Sequence, residues 1–269
     1  MLEILKAIVL GIIQGITEWL PISSTGHLIL FENILKLDFS TSFINTFMVV
    51  IQFGSILAVI VMFFNKLNPF SNKKKKEEKK ETFNLWLKII VATIPAGVIG
   101  LLFEDKIDKL LYNALVVSIA LIVYGIIFLL IERKNVKPKV DSLAKISFKT
   151  AFLIGLFQTL ALIPGTSRSG STIVGALLIG TSRYVATEFS FFLAIPTMLG
   201  ASGYKLLDYG LNFTTSELSV LIIGLVVSFI VSLWAIRFLL NYIRKHNFNA
   251  FAYYRIVLGI IIVMYYLFK

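Results

Sequence analysis

Six stretches of this sequence, at about residues 44–64, 85–103, 113–131, 186–207, 218–240 and 250–268, are apolar runs long enough to span a membrane. Each is close to the ~20 residues an α-helix needs to cross a hydrocarbon core. Lipid offers no hydrogen bonds, so chains that cross it satisfy their backbone internally, as helices or closed barrels. A barrel strand would alternate apolar and polar residues over about ten positions. The fold class expected is therefore an all-α polytopic membrane protein with six transmembrane helices.

Two more apolar runs, about 4–20 and 150–163, end at Pro21 and Pro164. Each is followed by a short helical pattern, about 25–36 and 170–181. A broken helix followed by a short one predicts a re-entrant hairpin that dips into the membrane and returns to the side it came from. The charged residues test that topology. Only 15% of residues are charged, against about a quarter in soluble proteins. The net charge of +11 comes mainly from loops: residues 65–84 with their KKKKEEKK run, residues 132–148, and Arg244 with Lys245. The positive-inside rule assigns all three to the cytoplasm. An even number of spans then separates each from the next only if both short pairs are re-entrant. On this count the loop Asp208 to Glu217, which has no Lys or Arg, lies outside, and so do both termini.

The basic residues face membrane surface and anionic lipid, not nucleic acid, since no soluble domain carries a basic face. Without cysteine the chain has neither disulfides nor thiolates. The first apolar run contains Glu18 and leads straight into a polar motif, unlike a cleavable signal peptide.

The two short runs also resemble one another. IVLGIIQGITEWLPISSTG (8–26) aligns with FLIGLFQTLALIPGTSRSG (152–170), matching Gly11 with Gly155 and Gln14 with Gln158. A one-residue gap then matches Pro21 with Pro164 and Ser24 with Ser167. Each half, residues 1–131 and 149–269, reads as one hairpin and three spans. Three is odd, so the halves insert in opposite senses, an inverted-topology repeat whose broken helices meet near the bilayer midplane.

The polar breaks, QGITEWLPISSTGH (14–27) and PGTSRSGST (164–172), carry the candidate chemistry. Gln14 and Glu18 are four residues apart and share a helix face. Glu18 is a candidate metal ligand, general base or partner of a histidine. Ser23, Ser24, Thr25 and Gly26 begin a helix, where open backbone N–H groups favour anions. His27 is a candidate nucleophile, proton donor or phosphate contact. Arg168 offers a bidentate fork to phosphate and is costly in a membrane without an anion. Ser167, Ser169, Ser171 and Thr172 surround it with hydroxyls, while Gly165 and Gly170 let the backbone approach a ligand. Glu188, Gln52, Ser55 and Arg255 read as helix-packing or interfacial groups, and His246 as a solvated loop residue. The aromatic residues, with 23 Phe and 10 Tyr among them, are expected mostly to face lipid or the interface.

The two motifs in this order, with SRYVATEFSFFLAIP after the second, resemble the undecaprenyl-pyrophosphate phosphatase family of bacitracin-resistance type. The resemblance covers nearly the whole chain. It implies hydrolysis of the terminal phosphate of undecaprenyl pyrophosphate, a divalent cation (magnesium or calcium), and a bacterial plasma-membrane site opening to the outer face. It also implies ten helices with an inverted repeat and two re-entrant hairpins. Gln14 stands where the family often has glutamate, leaving Glu18 to carry the acidic function and hold the metal alone. The expected catalytic residues are Glu18, His27, Ser24 and Arg168, with Ser24, His27 and an activated water left open as nucleophile. The substrate would be held by Arg168, Ser167, Ser169, Thr172, Ser23, Thr25, Gly165 and Gln14. A polyprenyl pyrophosphate lipid and membrane lipid are the expected partners, with a homodimer left open. The alternative reading is a polyprenyl-phosphate flippase or transporter, because inverted repeats with broken helices suit alternating access.

Overall fold

A computed structural model describes residues 1–268 except Tyr112, Asn135, Val136 and Leu211; the side chains of Glu104, Asp105 and Asp108 also lie outside the description. Two of these, Asn135 and Val136, fall within the expected loop 132–148. Among the described residues the chain is all-helical, without a strand. The helices are α1 (Leu2–Thr17), α2 (Ser24–Leu35), α3 (Thr41–Met62), the single turn α4 (Phe64–Leu67), α5 (Lys76–Leu111), α6 (Ala114–Arg133), α7 (Phe148–Thr159), α8 (Arg168–Ile179), α9 (Arg183–Tyr209), α10 (Thr215–Ile243) and α11 (Asn249–Leu267).

Six of them, α3, α5, α6, α9, α10 and α11, are long and apolar enough to cross a membrane. They follow the six apolar runs, with one clear departure: α5 begins at Lys76, inside the expected loop 65–84. Glu78 accepts a hydrogen bond from the Lys75 N–H at 2.7 Å, and Glu77 and Glu78 occupy the first turn. Carboxylates there satisfy open donors and complement the helix dipole. A sequence that reads as a charged loop therefore starts a helix.

The packing follows a regular exchange between the halves. α1 packs on α10 and α7 packs on α5, while α3 lies against α9 and α6 against α11. Small residues set these crossings. A Cβ on Gly11 would stand 2.8 Å from the Gly224 carbonyl oxygen of α10, and one on Gly155 would stand 2.2 Å from the Ala92 oxygen of α5. Without a hydrophobic drive between helices in lipid, such close backbone approach is a main source of cohesion.

Polar ties add to it. The Ser55 hydroxyl of α3 lies 2.8 Å from that of Ser228 and accepts from Ser232 at 2.9 Å, both on α10; Ser232 also donates to the Gly15 oxygen of α1 at 3.3 Å. At one end of the bundle the Glu132 carboxylate of α6 accepts from Arg183 Nε at 2.9 Å and from the Phe248 N–H at 3.1 Å. Three helix ends, of α6, α9 and α11, thus share one buried carboxylate. The most enclosed span is α9, with 72% of its most apolar window buried. It carries Phe189, Phe191 and Phe192 into the core around Trp19, Leu20 and Ile22 of the first break.

Candidate active site

Both polar breaks are built the same way. α1 stops at Thr17, a short turn runs through Pro21, and α2 starts after Ser23, whose φ is +73°. α7 tightens into a 3₁₀ turn, Leu160–Leu162, and α8 starts after Ser167, whose φ is +74°. Positive φ costs a non-glycine residue about 1–2 kcal/mol. In each case the strained serine caps the helix it precedes: Ser23 Oγ accepts from the Gly26 N–H at 3.3 Å, and Ser167 Oγ from the Gly170 N–H at 3.1 Å. Ser23 therefore corresponds to Ser167 and Gly26 to Gly170, at the same spacing that relates Gly11 to Gly155. The one-residue gap that matches Ser24 with Ser167 is not needed. Aligning the prolines forces it, and they do not occupy equivalent places.

Ungapped, the register puts Ser24 opposite Arg168, each the first residue of its short helix. Glu18 joins them. As the C-cap of α1 it keeps helical φ and ψ, so its side chain stays on the face of Gln14. Its Oε2 accepts from Ser24 Oγ at 2.8 Å and Gln14 Nε2 at 3.1 Å, while its Oε1 accepts from Arg168 Nη2 at 2.9 Å. The carboxylate is 4% exposed and the guanidinium side chain 12%. A buried carboxylate thus lies between the N-termini of two helices and pairs with a half-buried arginine, where dipole and charge both favour an anion.

Arg168 is held on its other sides by α9 and the first break. Nη1 donates to the Ser190 backbone oxygen at 2.7 Å and to its hydroxyl at 3.3 Å, and the guanidinium carbon lies 5.7 Å from the Trp19 ring centre. The Ser190 hydroxyl is also 2.6 Å from Thr172 Oγ1. Ser169 Oγ donates across to the Glu18 and Leu20 carbonyls at 3.2 and 3.4 Å. Arg168 Nε, Gln14 Oε1, Thr166 Oγ1 and Trp19 Nε1 are buried without a partner among the described residues. Gly165 has φ +91°, and a Cβ there would meet the Val117 oxygen at 2.4 Å, so its job is close backbone passage.

Not every expected residue joins this centre. Ser171 and Thr172 donate to the Arg168 carbonyl within their own helix, and the Ser23 and Ser167 hydroxyls serve as caps. Thr25 is half-buried just beyond Ser24. His27 Nδ1 donates to the Ser23 carbonyl at 2.7 Å, which leaves Nε2 as the acceptor of the Tyr254 hydroxyl at 2.7 Å. The two rings stack at 5.6 Å, so both histidine nitrogens are already engaged.

Arg255 is fully buried, not interfacial. Its guanidinium donates to Pro21 O at 2.9 Å in the first break and to Gly165 O and Thr166 O at 3.0 and 2.8 Å in the second. It staples the two breaks to each other. Glu188 is buried and paired with Lys66 at 2.7 Å, while Gln52 bonds its own helix. His246 is exposed and stacks on Tyr242. Sequence reading missed Ser190, Tyr254 and the stapling role of Arg255. The available signals were polar or charged side chains inside the apolar runs 186–207 and 250–268.

A family model described as bacitracin resistance protein BacA matches residues 7–261. The chain is 63% identical to undecaprenyl-diphosphatase 1 of Clostridioides difficile (strain 630) over 266 residues, covering 99% of this chain and 97% of that protein. It is 58% identical over 269 residues to an undecaprenyl-diphosphatase of Enterococcus faecalis (strain ATCC 700802 / V583), covering 98% of each. Against the undecaprenyl-diphosphatase of Acetivibrio thermocellus identity is 54% over 269 residues, 99% of both chains. With similarity of this extent running through both breaks and all six spans, the chain belongs to the bacitracin resistance protein BacA family.

Proposed function

We propose that this chain hydrolyses undecaprenyl pyrophosphate to undecaprenyl phosphate and inorganic phosphate, recycling the lipid carrier of cell-wall synthesis. Full-length relatives named undecaprenyl-diphosphatase support the reaction. The observation that carries the site assignment is the bridge from the Ser24 hydroxyl through the Glu18 carboxylate to Arg168, at 2.8 and 2.9 Å.

In this reading the terminal phosphate takes the place of the Glu18 carboxylate as the anion between the α2 and α8 N-termini. Arg168 turns its fork to the phosphate, helped by its unpartnered Nε. Glu18, released from the ion pair, accepts the Ser24 proton. Ser24 Oγ attacks the terminal phosphorus, the bond to the bridging oxygen breaks, and undecaprenyl phosphate leaves. The departing undecaprenyl phosphate takes that proton from Glu18; water then loses a proton to the freed Glu18 carboxylate and hydrolyses the phosphoserine, and Glu18 returns this proton to Ser24. Ser24 is favoured over His27 because both imidazole nitrogens are engaged, giving His27 a positioning role. The residues also suit a hard divalent cation: Gln14 Oε1 is a buried oxygen without a donor on the face of Glu18. With one carboxylate and one amide, such an ion would keep water and substrate oxygens as its other ligands. When bound it would offset pyrophosphate charge.

The two hairpins are re-entrant in this reading. α1, at 16 residues, and α7, at 12, are about 24 and 18 Å long, both short of a core of about 30 Å. The exchange of α1 on α10 for α7 on α5, with strained serines in register, supports an inverted repeat with its site near the midplane. The site would open to the outer face, opposite the basic loops.

The test is phosphate release from a short-chain polyprenyl pyrophosphate by purified protein, with Mg²⁺ or Ca²⁺ and with excess chelator. Glu18→Gln and Arg168→Lys are expected to lose about 10²-fold or more, Ser24→Ala to abolish turnover, and rapid quench of wild type to trap phosphoserine. Turnover retained in Ser24→Ala would assign the attack to water. Transfer of intact lipid phosphate between leaflets without phosphate release would replace the enzyme reading by the flippase.

A further inference from the structure

The end of α10 that shares its membrane side with the basic loops carries a side-chain arrangement the hydrolytic site does not use. Four rings stack stepwise along one face at four-residue spacing. Trp234 lies 5.4 Å from Phe238, Phe238 5.9 Å from Tyr242, and Tyr242 4.7 Å from His246, with interplanar angles of 13°, 29° and 28°. Beside this ladder runs a second stripe at the same spacing, Arg237, Asn241 and Lys245, and the two enclose a shallow open groove. The helical turn continues past Ile243, with the His246 N–H donating to the Tyr242 oxygen at 2.9 Å, so the groove is a formed surface. Towards the membrane interior the ladder continues as exposed Ile230, Val226 and Ile222, again at four-residue steps. One face of α10 therefore grades from aliphatic through aromatic to cationic.

Arg237 gives the groove its chemistry. It lies six residues before the end of α10, about 9 Å along the helix axis. Arg168 and Arg183 are paired with carboxylates and Arg255 with carbonyls, while the Arg244 guanidinium covers the Tyr184 ring. Arg237 has no hydrogen bond or ion pair with any described residue, and no carboxylate lines the groove. A guanidinium this close to hydrocarbon is costly without an anion. A tryptophan and a tyrosine beside it are the residues that settle at headgroup level.

We infer that this groove is a binding site for an anionic glycerophospholipid of the leaflet on the basic-loop side. The phosphodiester would sit between Arg237, Lys245 and His246, with the glycerol backbone against Tyr242 and Phe238. One acyl chain would run over Trp234 and Ile230. The charge favours an acidic over a zwitterionic lipid, because Arg237 and Lys245 line one groove where the surface potential already concentrates anionic headgroups. The site is separate from the Glu18–Arg168 centre and does not depend on its chemistry.

Trp234 supplies the readout. The protein is reconstituted in nanodiscs, with lipid brominated in the acyl chains as either phosphatidylglycerol or phosphatidylcholine, and tryptophan quenching is followed against mole fraction. Of the other two tryptophans Trp19 is fully buried and Trp86 half-buried; Trp234→Phe, measured in parallel, subtracts both and isolates the signal of the ladder. Brominated phosphatidylglycerol is expected to half-quench Trp234 at a mole fraction at least 3-fold lower than phosphatidylcholine. Arg237→Gln with Lys245→Gln should make the two lipids equal, while Arg237→Lys with Lys245→Arg keeps the preference. Both variants should retain wild-type phosphate release, which certifies their fold independently. Equal quenching by the two lipids in wild type, or a preference that survives the double glutamine variant, overturns the assignment. So does relief of the phosphatidylglycerol quenching by millimolar inorganic phosphate, which would mark a site for free anion.

Discussion

Replacing Gly155 with alanine tests how closely the second break depends on the contact between α7 and α5. A Cβ there would stand 2.2 Å from the Ala92 oxygen and 2.8 Å from both its Cα and its carbonyl carbon. Ordinary carbon contacts begin at about 3.5 Å, so α7 must retreat by about 1 Å. All three obstacles are backbone, and no rotamer can relieve them. Overpacking typically costs about 1–3 kcal/mol, and a rigid obstacle belongs at the upper end. That is about a hundredfold in the folded-to-unfolded ratio, or about 6–12 °C in Tm for a chain of this size. The displaced helix leads through the second break into Arg168 itself, and a 1 Å misplacement near a reacting centre costs about 10²-fold in rate. The assays are thermal unfolding in detergent and phosphate release at saturating substrate. Gly97→Ala is the control, because nothing lies within 4 Å of its added Cβ. It should be neutral or stabilise by up to about 1 kcal/mol. An alanine at 155 that unfolds within about 2 °C of wild type, with undiminished turnover, would refute the argument.

Two further outcomes follow from the same geometry. Arg255→Met leaves the Pro21, Gly165 and Thr166 carbonyls without their donor, each at a cost of about 1–3 kcal/mol less the relief of unburying a charge. Turnover should fall by at least 10-fold, whereas protein with unchanged turnover would show that the breaks hold their register alone. Tyr254→Phe removes the donor to His27 Nε2. It should lower stability by about 1 kcal/mol and change turnover by less than about 5-fold, and a larger loss would return His27 to direct catalysis.

The spans were legible because hydropathy over twenty residues is a collective signal that no single substitution erases. The start of α5 was not, because KKKKEEKK looks like solvated loop until Glu78 is seen to cap it. Glu18 and Arg168 could be nominated from cost alone, since ionisable groups among apolar runs are rare, whereas Ser24 entered as a nucleophile only with the family resemblance. Their convergence could not, as it depends on how two breaks far apart in sequence face one another. Ser190 and Tyr254 were lost among apolar neighbours because a hydroxyl on an apolar run usually bonds its own helix, as Ser118 and Thr197 do. The likeness of the two breaks is legible too, but one residue out of step, because proline is a more conspicuous landmark than a strained serine.

The staple at Arg255 bears on how the protein is made. Its partner Pro21 precedes it by 234 residues, so at ribosomal rates of about 5–20 residues per second the first break waits roughly ten to fifty seconds for its cation. Until α11 is inserted, the Pro21 carbonyl must be satisfied by water or lipid headgroups, and the second break lacks the same donor. A nascent chain that stalls before the last span would hold every residue of both polar motifs and still lack the guanidinium that staples them. The staple between the two breaks therefore forms only once the final helix is in place.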